Sequence, residues 1–153
     1  MDLAINKRVL HDYNILKTFE AGIVLSGPEV KSVKTGRMNL KGSYAMIDGN
    51  GNAWLLNAHI APYPPAAGAQ RDYEPTHSRK LLLRRAEIAD LTAKLRAKGL
   101  TIMPLKVYIK RRFIKIDLGL ARGKKEYDKR ETLKKRDAER DIRQALKKDL
   151  RTG

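Results

Sequence analysis

The sequence contains no cysteine, and aromatic residues make up only 6% of its 153 residues. Without cysteine there is no disulfide framework, no thiolate nucleophile and no cysteine-ligated metal, which fits a reducing compartment. No apolar run approaches the ~18 residues of a membrane-spanning helix, and the first residues include no apolar segment of signal-peptide length. We therefore expect a soluble, cytoplasmic protein that does not associate with membranes.

Sequence motifs of catalysis are missing as well. His11, His59 and His77 form no H-x-x-x-H or H-E-x-x-H pair, and no serine lies in a G-x-S-x-G motif. The carboxylates are scattered, whereas a metal-dependent nuclease needs them clustered. The stretch 36–43 approaches a phosphate-binding P-loop but has its lysine and glycine in the wrong order. We expect no enzymatic activity, no metal and no cofactor.

Acidic residues are scarce relative to basic ones. The chain carries 33 Lys and Arg against 17 Asp and Glu, a net charge of +16. Residues 1–122 account for +11 of this charge and residues 123–153 for +5. Such a balance favours a polyanionic partner, nucleic acid above all. About 120 residues suffice for one modest core, so we expect one domain over 1–122 and a basic tail over 123–153.

Hydrophobic periodicity and turn residues predict short strands separated by a few helices. Alternating apolar residues predict strands at 13–25, 38–47, 53–60, 105–110 and 114–121. Asp48-Gly49-Asn50-Gly51 is the strongest local signal, because its Asp-Gly and Asn-Gly pairs supply the positive φ of a tight hairpin. Helices are predicted at 26–36 and 84–98, and the proline-rich stretch 61–77 is predicted to be a loop. This pattern predicts a mainly β fold, an OB-like closed antiparallel barrel with two or more flanking helices.

The tail has a composition of its own. It holds 12 Lys and Arg and 7 Asp and Glu, with few large apolar side chains. Such a segment cannot bury enough hydrocarbon to offset its ordering entropy, so we expect it to be disordered when free. A narrow apolar stripe has helical spacing and consists of Ala138, Ile142, Ala145, Leu146 and Leu150. We expect this stripe to form a helix only against a partner.

Four short motifs follow one another along the chain. They are Asn6-Lys7-Arg8 with His11-Asp12-Tyr13; Phe19-Glu20-Ala21-Gly22 running into Gly27-Pro28-Glu29-Val30-Lys31-Ser32; Arg79-Lys80-Leu81-Leu82-Leu83; and Gly123-Lys124-Lys125-Glu126-Tyr127-Asp128-Lys129-Arg130. Together they resemble the SmpB family, the SsrA-binding proteins of bacterial trans-translation. The resemblance extends from Asn6 to about Leu146.

The resemblance implies a non-enzymatic RNA-binding adaptor. Such a protein binds the tRNA-like domain of tmRNA, the hybrid transfer–messenger RNA, and delivers it to ribosomes stalled on truncated messages. The implied partners are tmRNA, the 16S and 23S rRNA of the stalled 70S ribosome, and elongation factor Tu bound to alanyl-tmRNA, and the free protein is expected to be a monomer. The alternative is a structural ribosomal protein with an rRNA-anchoring tail.

The resemblance also implies a tmRNA-binding surface. Its residues are Asn6, Lys7, Arg8, His11, Glu20, Glu29, Lys31, Lys34, Arg37, Arg79, Lys80 and Leu82. From the residues alone, the basic side chains fit either phosphate contacts or a solvated face, and His11 fits either RNA contact or ordinary packing in a strand. Glu29 either caps its helix or accepts a hydrogen bond from RNA. Glu20 can accept from a base amino group or a 2′-hydroxyl, and Leu82, between two core leucines, is expected to point outwards towards RNA.

For the tail, the resemblance implies contact with the decoding centre and the empty mRNA channel of the ribosome. The residues concerned are Gly123, Lys124, Lys125, Tyr127, Asp128, Lys129, Arg130, Lys134, Lys135, Arg136, Arg140 and Arg143. Their positive charge suits rRNA phosphates, and Tyr127 suits stacking on an exposed base.

Overall fold

The computed structural model of the protein describes residues 2–64 and 72–124. Most of the predicted tail, and with it the helix predicted around Ala138–Leu150, lies outside the described residues. Part of the predicted loop at 61–77 lies outside them as well.

Nine strands and three helices make up the described residues. In chain order they are β1 (Asp2–Ile5), α1 (Lys7–Asp12), β2 (Tyr13–Ile23), α2 (Gly27–Lys34), β3 (Met38–Asn39), β4 (Tyr44–Ile47), β5 (Ala53–Leu56), β6 (His59–Ile60), β7 (Arg79–Leu82), α3 (Arg85–Lys94), β8 (Leu100–Lys110) and β9 (Phe113–Gly123).

Seven of these strands form one antiparallel sheet. Its order is β1-β8-β4-β5-β7-β2-β9, and β8 also pairs along its length with β9. Strands β3 and β6 form a separate two-stranded ladder. The mainly β, antiparallel class predicted from the sequence is confirmed.

The core lies on the inner side of this sheet, because alternate residues of each strand point inwards. In β9, Ile116 and Leu118 are fully buried, and Ile102 and Val107 of β8 are buried beside them. The helices add Val33 from α2 and Leu91 from α3, both of which are also fully buried. Each such side chain contributes roughly 1.5–3 kcal/mol of transfer free energy. Because one side of each strand packs into the core, the side chains on the other side of β2, β7, β8 and β9 face outwards.

Several predicted element bounds are corrected by the structure. The predicted strand 38–47 is divided by a turn at Gly42, where φ is +75°, and the predicted strand 53–60 is divided at Asn57, where φ is +62°. A left-handed residue cannot continue a strand ladder, so each run yields two short strands. The second predicted helix ends at Lys94 rather than at residue 98.

Two predicted site residues lie in elements that the sequence did not predict for them. Residues Lys7–Asp12 form a helix, so His11 lies on α1 and not in a strand. Gly123, which the sequence assigned to the tail, pairs with Tyr13 and is the last residue of β9.

Candidate nucleic-acid interface

The outer side of the sheet carries a row of residues contributed by four neighbouring strands. Gly22 of β2 pairs with Leu82 of β7 on one side and with Lys115 of β9 on the other, and Lys115 pairs with Tyr108 of β8. Directly paired residues project to the same side of a sheet. We call the surface formed by this row and its neighbours the outer face.

A second row on the outer face brings two carboxylates together. Glu20 of β2 pairs with Asp117 of β9, and Asp117 pairs with Lys106 of β8. Like charges directly opposite each other on neighbouring strands destabilise a sheet. The Tyr108 hydroxyl lies between them: it donates to Glu20 Oε2 and lies 2.7 Å from Asp117 Oδ1. Since a phenol has one proton, it serves one carboxylate at a time.

Glu20 is held ionised at this position. Hydrogen bonds from Tyr108 and from Lys110, whose Nζ is 3.1 Å from Glu20 Oε1, keep the pKa of Glu20 below its ordinary value. Burial and the bonds to both carboxylates raise the pKa of Tyr108, so the phenol stays protonated. The outer face therefore presents an exposed carboxylate among lysines. It can accept from a base amino group or a 2′-hydroxyl while lysines attract the phosphates.

Leu82 completes the outer face as an apolar element. Leu81 is 2% exposed whereas Leu82 is 54% exposed, which confirms the predicted alternation of inward and outward leucines. Opposite Leu82 stands Gly22, and a Cβ at that position would lie 3.3 Å from the Leu82 Cβ. A groove at this point is lined by Glu20, Gly22, Leu82 and Lys115 together with Leu83, Arg84 and Glu87.

Sequence reasoning missed three contributors to the outer face: Tyr108, Lys110 and Lys115. The sequence shows that these residues alternate with apolar ones. It does not show the register of β2, β9 and β8, which brings them next to Glu20. That register joins residues 88 and 90 positions apart in the chain, such as Glu20 with Tyr108 and Glu20 with Lys110.

Arg79 and Glu29, both predicted to contact tmRNA, are buried in the structure. Arg79 is 1% exposed and Glu29 is 3% exposed. Arg79 Nε donates to Glu29 Oε2 at 2.8 Å, and its Nη atoms donate to the carbonyl oxygens of Ala58 and Pro75 at 2.7 and 2.8 Å. A buried ion pair is stable only when its polar atoms are satisfied, and these are satisfied inside the protein. A direct RNA contact from either side chain is therefore incompatible with this conformation.

The sequence left two roles open for Glu29, capping of its helix and acceptance of a hydrogen bond from RNA, and the structure shows the capping role. Its Oε1 accepts from the backbone N–H of Ser26 at 3.1 Å, and the Ser26 hydroxyl accepts from the Glu29 backbone N–H, which closes a capping box at α2. Tyr73 and His77 also hydrogen-bond to Glu29 Oε2, at 3.0 and 2.9 Å. Burial by itself raises the pKa of Glu29, but the bonds from Ser26 and Arg79 outweigh it and hold that pKa below its ordinary value.

A sequence signal for the burial of Arg79 did exist. Arg79 and Leu81 are two residues apart in a strand, so they point to the same side of the sheet, and Leu81 was assigned to the core. The same alternation places Lys80 on the outside with Leu82, and Lys80 is exposed.

The N-terminal motif lies away from the Glu20 groove. Asn6 is 7% exposed, and its Nδ2 donates to the carbonyl oxygen of Pro104 at 3.1 Å, which ties the start of α1 to β8. Asn6 thus has a structural role and also lines the groove formed with Lys7 and Arg8, and its contact with RNA stays a prediction. Lys7 and Arg8 are exposed and line a second groove, and none of its lining residues belongs to the groove around Glu20.

The remaining predicted side chains of the body are exposed, and all but His11 are lysine or arginine. Lys31 and Lys34 follow the capped start of α2, Arg37 follows that helix, and all three are exposed. His11 is exposed on α1 with its Nδ1 2.8 Å from Asp12 Oδ1. The structure thus divides the predicted tmRNA residues into an outer face, an α1 groove, an α2 stripe and a buried set.

The predicted tail site falls almost entirely outside the described residues. Gly123 belongs to β9, and Lys124 is the last residue that the structure describes. The residues beyond them that were predicted to contact the ribosome are Lys125, Tyr127, Asp128, Lys129, Arg130, Lys134, Lys135, Arg136, Arg140 and Arg143.

Two negative findings concern the described part of the chain alone. Over residues 2–64 and 72–124, no helix is both long enough and apolar enough to cross a membrane. Within the same residues, no three His, Cys, Asp or Glu side chains are grouped so that they could hold a metal ion.

An antiparallel sheet whose outer face combines several lysines with the exposed carboxylate of Glu20 and the exposed Leu82 is typical of a nucleic-acid-binding protein of the mainly β class. The family model described as "SmpB protein" matches residues 3–148. The chain belongs to the SmpB family.

Relatives match over nearly their whole length. The SsrA-binding proteins of Shouchella clausii and Chloroflexus aggregans are each 52% identical over 149 residues, which are 97% of this chain and 94% and 93% of theirs. The SsrA-binding protein of Carboxydothermus hydrogenoformans is 52% identical over 145 residues, 95% of each chain. A chain in the solved structure called "tmRNA-SmpB: a journey to the center of the bacterial ribosome" has 44% identity and a TM-score of 0.65, covering 84% of this chain and 92% of that one.

Proposed function

We propose that this protein is a non-enzymatic adaptor that binds the tRNA-like domain of tmRNA through its outer face and delivers it to stalled ribosomes. The SsrA-binding relatives and the tmRNA-SmpB structure support tmRNA and the ribosome as partners. The observation that carries the proposal is Glu20, an exposed carboxylate held among Lys110, Lys115 and Leu82. A surface that bound phosphate by charge alone would gain nothing from an anion at its centre.

The described body contributes three basic groups to this function. Lys80, Lys110 and Lys115 surround Glu20 and Leu82 on the outer face. Lys31, Lys34 and Arg37 form the stripe along and after α2, and Lys7, Arg8 and His11 form the exposed side of α1. Within the adaptor, we assign the stripe and the α1 groove to phosphate contacts and the outer face to recognition of bases and riboses.

We propose in addition that the large sheet closes into an OB-like barrel. Strand β8 pairs with β4 at Ala45 and Ile102, and it pairs along its length with β9, the strand at the end of the sheet order. These pairings support closure, because they connect the two ends of the series β4-β5-β7-β2-β9 through β8.

The basic tail is assigned to the ribosome. Its 12 Lys and Arg suit a path walled by rRNA, and that path is free only when mRNA is missing. A cationic segment that occupies it would detect the absence of message by occupancy rather than by sequence. The division at 122/123, the monomeric free state, the cytoplasmic location and the involvement of elongation factor Tu remain predictions.

The proposed function is tested by titrating tmRNA with the wild-type protein and with Glu20→Ala. If Glu20 accepts a hydrogen bond from RNA, its removal weakens binding about fivefold or more, although the protein becomes more positive. Glu74→Ala is the matched control, because it removes one exposed negative charge from the turn before β7. Equal or tighter binding by Glu20→Ala, in parallel with the control, would contradict a specific contact at Glu20. Absence of salt-sensitive tmRNA binding by the wild type would overturn the function as a whole.

A further inference from the structure

The β8–β9 hairpin ends in an unusual turn. Lys110 pairs with Phe113, and the two residues between them, Arg111 and Arg112, have φ values of +51° and +80°. Two-residue hairpin turns of this kind strongly favour Asn, Asp and Gly, because other residues are strained at positive φ. Here both turn positions are arginine. These residues are unfavourable in such a turn, but they place two cations at the tip of the hairpin.

Phe113 lies at this tip with little protein around it. Its side chain is 67% exposed, more than that of Leu82 at 54%. Lys115 Nζ lies over its ring, 6.0 Å from the ring centroid. Phe113 projects from β9 on the same side as Lys115, because the two are separated by one residue of a strand. The ring is therefore part of the outer face.

A groove of about 380 Å³ runs between Phe113 and Leu82. Its lining includes the apolar side chains of Ile23, Leu25 and Val30 and two basic residues, Arg112 and Lys115. The volume falls within the range of roughly 300–1,000 Å³ typical of ligand sites. The groove around Glu20 is also lined by Leu82, Gly22 and Lys115, so the two grooves are adjacent.

We propose that Phe113 is a stacking platform for one unpaired nucleotide of the bound RNA, which lies in the groove between Phe113 and Leu82. The base stacks on the ring and covers apolar surface, and the flanking phosphates meet Arg111 and Arg112. The charge of the site favours this occupant, because the charged residues that line the groove, Arg112 and Lys115, attract a nucleotide and repel a basic helix. The inference rests on the proposed function, since it names a subsite for the same RNA.

The stacking role is tested with two substitutions in the full chain. Phe113→Ala removes the ring and is expected to weaken tmRNA binding about tenfold, the effect of losing one stacked base. Phe113→Trp keeps an aromatic platform, so it is expected to retain wild-type affinity. Leu16→Ala is the control, because Leu16 is also 54% exposed but does not line the groove. It should leave affinity unchanged.

A fluorescence readout separates stacking from a merely structural effect. In Phe113→Trp, tmRNA should quench emission beyond the change seen in the wild type, which has Trp54 alone. A blunt RNA duplex without unpaired nucleotides should not produce this quenching. Wild-type affinity in Phe113→Ala, or unchanged emission from the introduced indole on saturation with tmRNA, would overturn the proposal while leaving the proposed function intact. Quenching by an acidic peptide but not by RNA would overturn it in favour of a protein partner. Failure of the wild type to bind tmRNA would instead refute the function itself.

Discussion

The buried pair of Glu29 and Arg79 offers the sharpest test of whether a residue supports the RNA surface or touches RNA. Arg79 has no exposed side-chain surface, and that of Glu29 is 3% exposed. Removing one partner of a buried ion pair leaves the other charge without compensation, at a cost of about 3–5 kcal/mol. Glu29→Ala also opens the capping box of α2, since its carboxylate is the acceptor for the Ser26 N–H.

This loss should be visible in thermal unfolding. For a domain of this size, 1 kcal/mol corresponds to roughly 3–5 °C, so Glu29→Ala should lower Tm by about 10–20 °C. Glu29→Gln keeps an oxygen acceptor for Ser26 and should lose less. Arg79→Lys should lose nearly as much as Glu29→Ala, because an ammonium cannot replace the fork of donors that reaches Glu29, Ala58 and Pro75.

The matching tmRNA titration is run below the unfolding transition of every variant. We expect Glu29→Gln, when folded, to bind tmRNA within about twofold of the wild type, because its side chain does not reach the surface. A different result would refute this reasoning: unchanged Tm together with a tenfold loss of affinity in Glu29→Gln. That outcome would restore Glu29 as an RNA contact, which is the role that the resemblance implied.

Three more expectations concern the pKa values of the two glutamates and the role of the tail. First, the folded-state pKa of Glu29 lies below its ordinary value of 4.5, so the stabilising contribution of this carboxylate is complete above pH 4.5 and is lost as the pH falls through the folded-state pKa. The difference in unfolding free energy between the wild type and Glu29→Gln should therefore shrink in an acid titration. A constant difference would contradict the depressed pKa. Second, Tyr108→Phe should raise the pKa of Glu20 in a carboxyl NMR titration, because the Tyr108 hydroxyl is the main cause of its depression; no rise would mean that Tyr108 does not bond Glu20 in solution. Third, truncation after Lys124 should leave tmRNA affinity nearly intact but abolish tagging on stalled ribosomes, and a collapse of affinity would show that tail and body do not serve separate RNAs.

Local sequence signals predicted the parts of the fold that local physics decides. A turn forms at Asp48–Gly51, with the Asp48 N–H donating to the Asn52 carbonyl at 2.8 Å, but only the second of the two predicted glycines, Gly51, has a positive φ, of +79°. The capping role that the sequence offered for Glu29 is also local, because its partner Ser26 is three positions away. Helix α1 was missed, because six residues are too short for a 3.6-residue period to show.

The candidate site was predictable only in part, since its geometry depends on strand register. Glu20 and Leu82 were expected at the surface, and both are exposed. Arg79 was expected there too, but it is buried against Glu29. These two residues are 50 positions apart in the chain, and no local sequence pattern predicts that they pair. Resemblance to a family identifies a residue type that matters at a position. It does not say whether the side chain acts by contact or by holding another element in place.

The register of the sheet determines which residues of β7 face outwards and which are buried and hold neighbouring elements in place. Residues Arg79–Leu82 alternate between the core and the outer face: Arg79 and Leu81 are buried, and Lys80 and Leu82 are exposed. The buried arginine fixes Glu29 and hence the start of α2, whose exposed lysines extend the basic surface. One strand of four residues therefore contributes directly to the outer face and, through its other side, to the placement of the neighbouring basic stripe. A one-residue slip of β7 would exchange these two roles, so the core leucine that sets its register also determines which side chains are available to RNA.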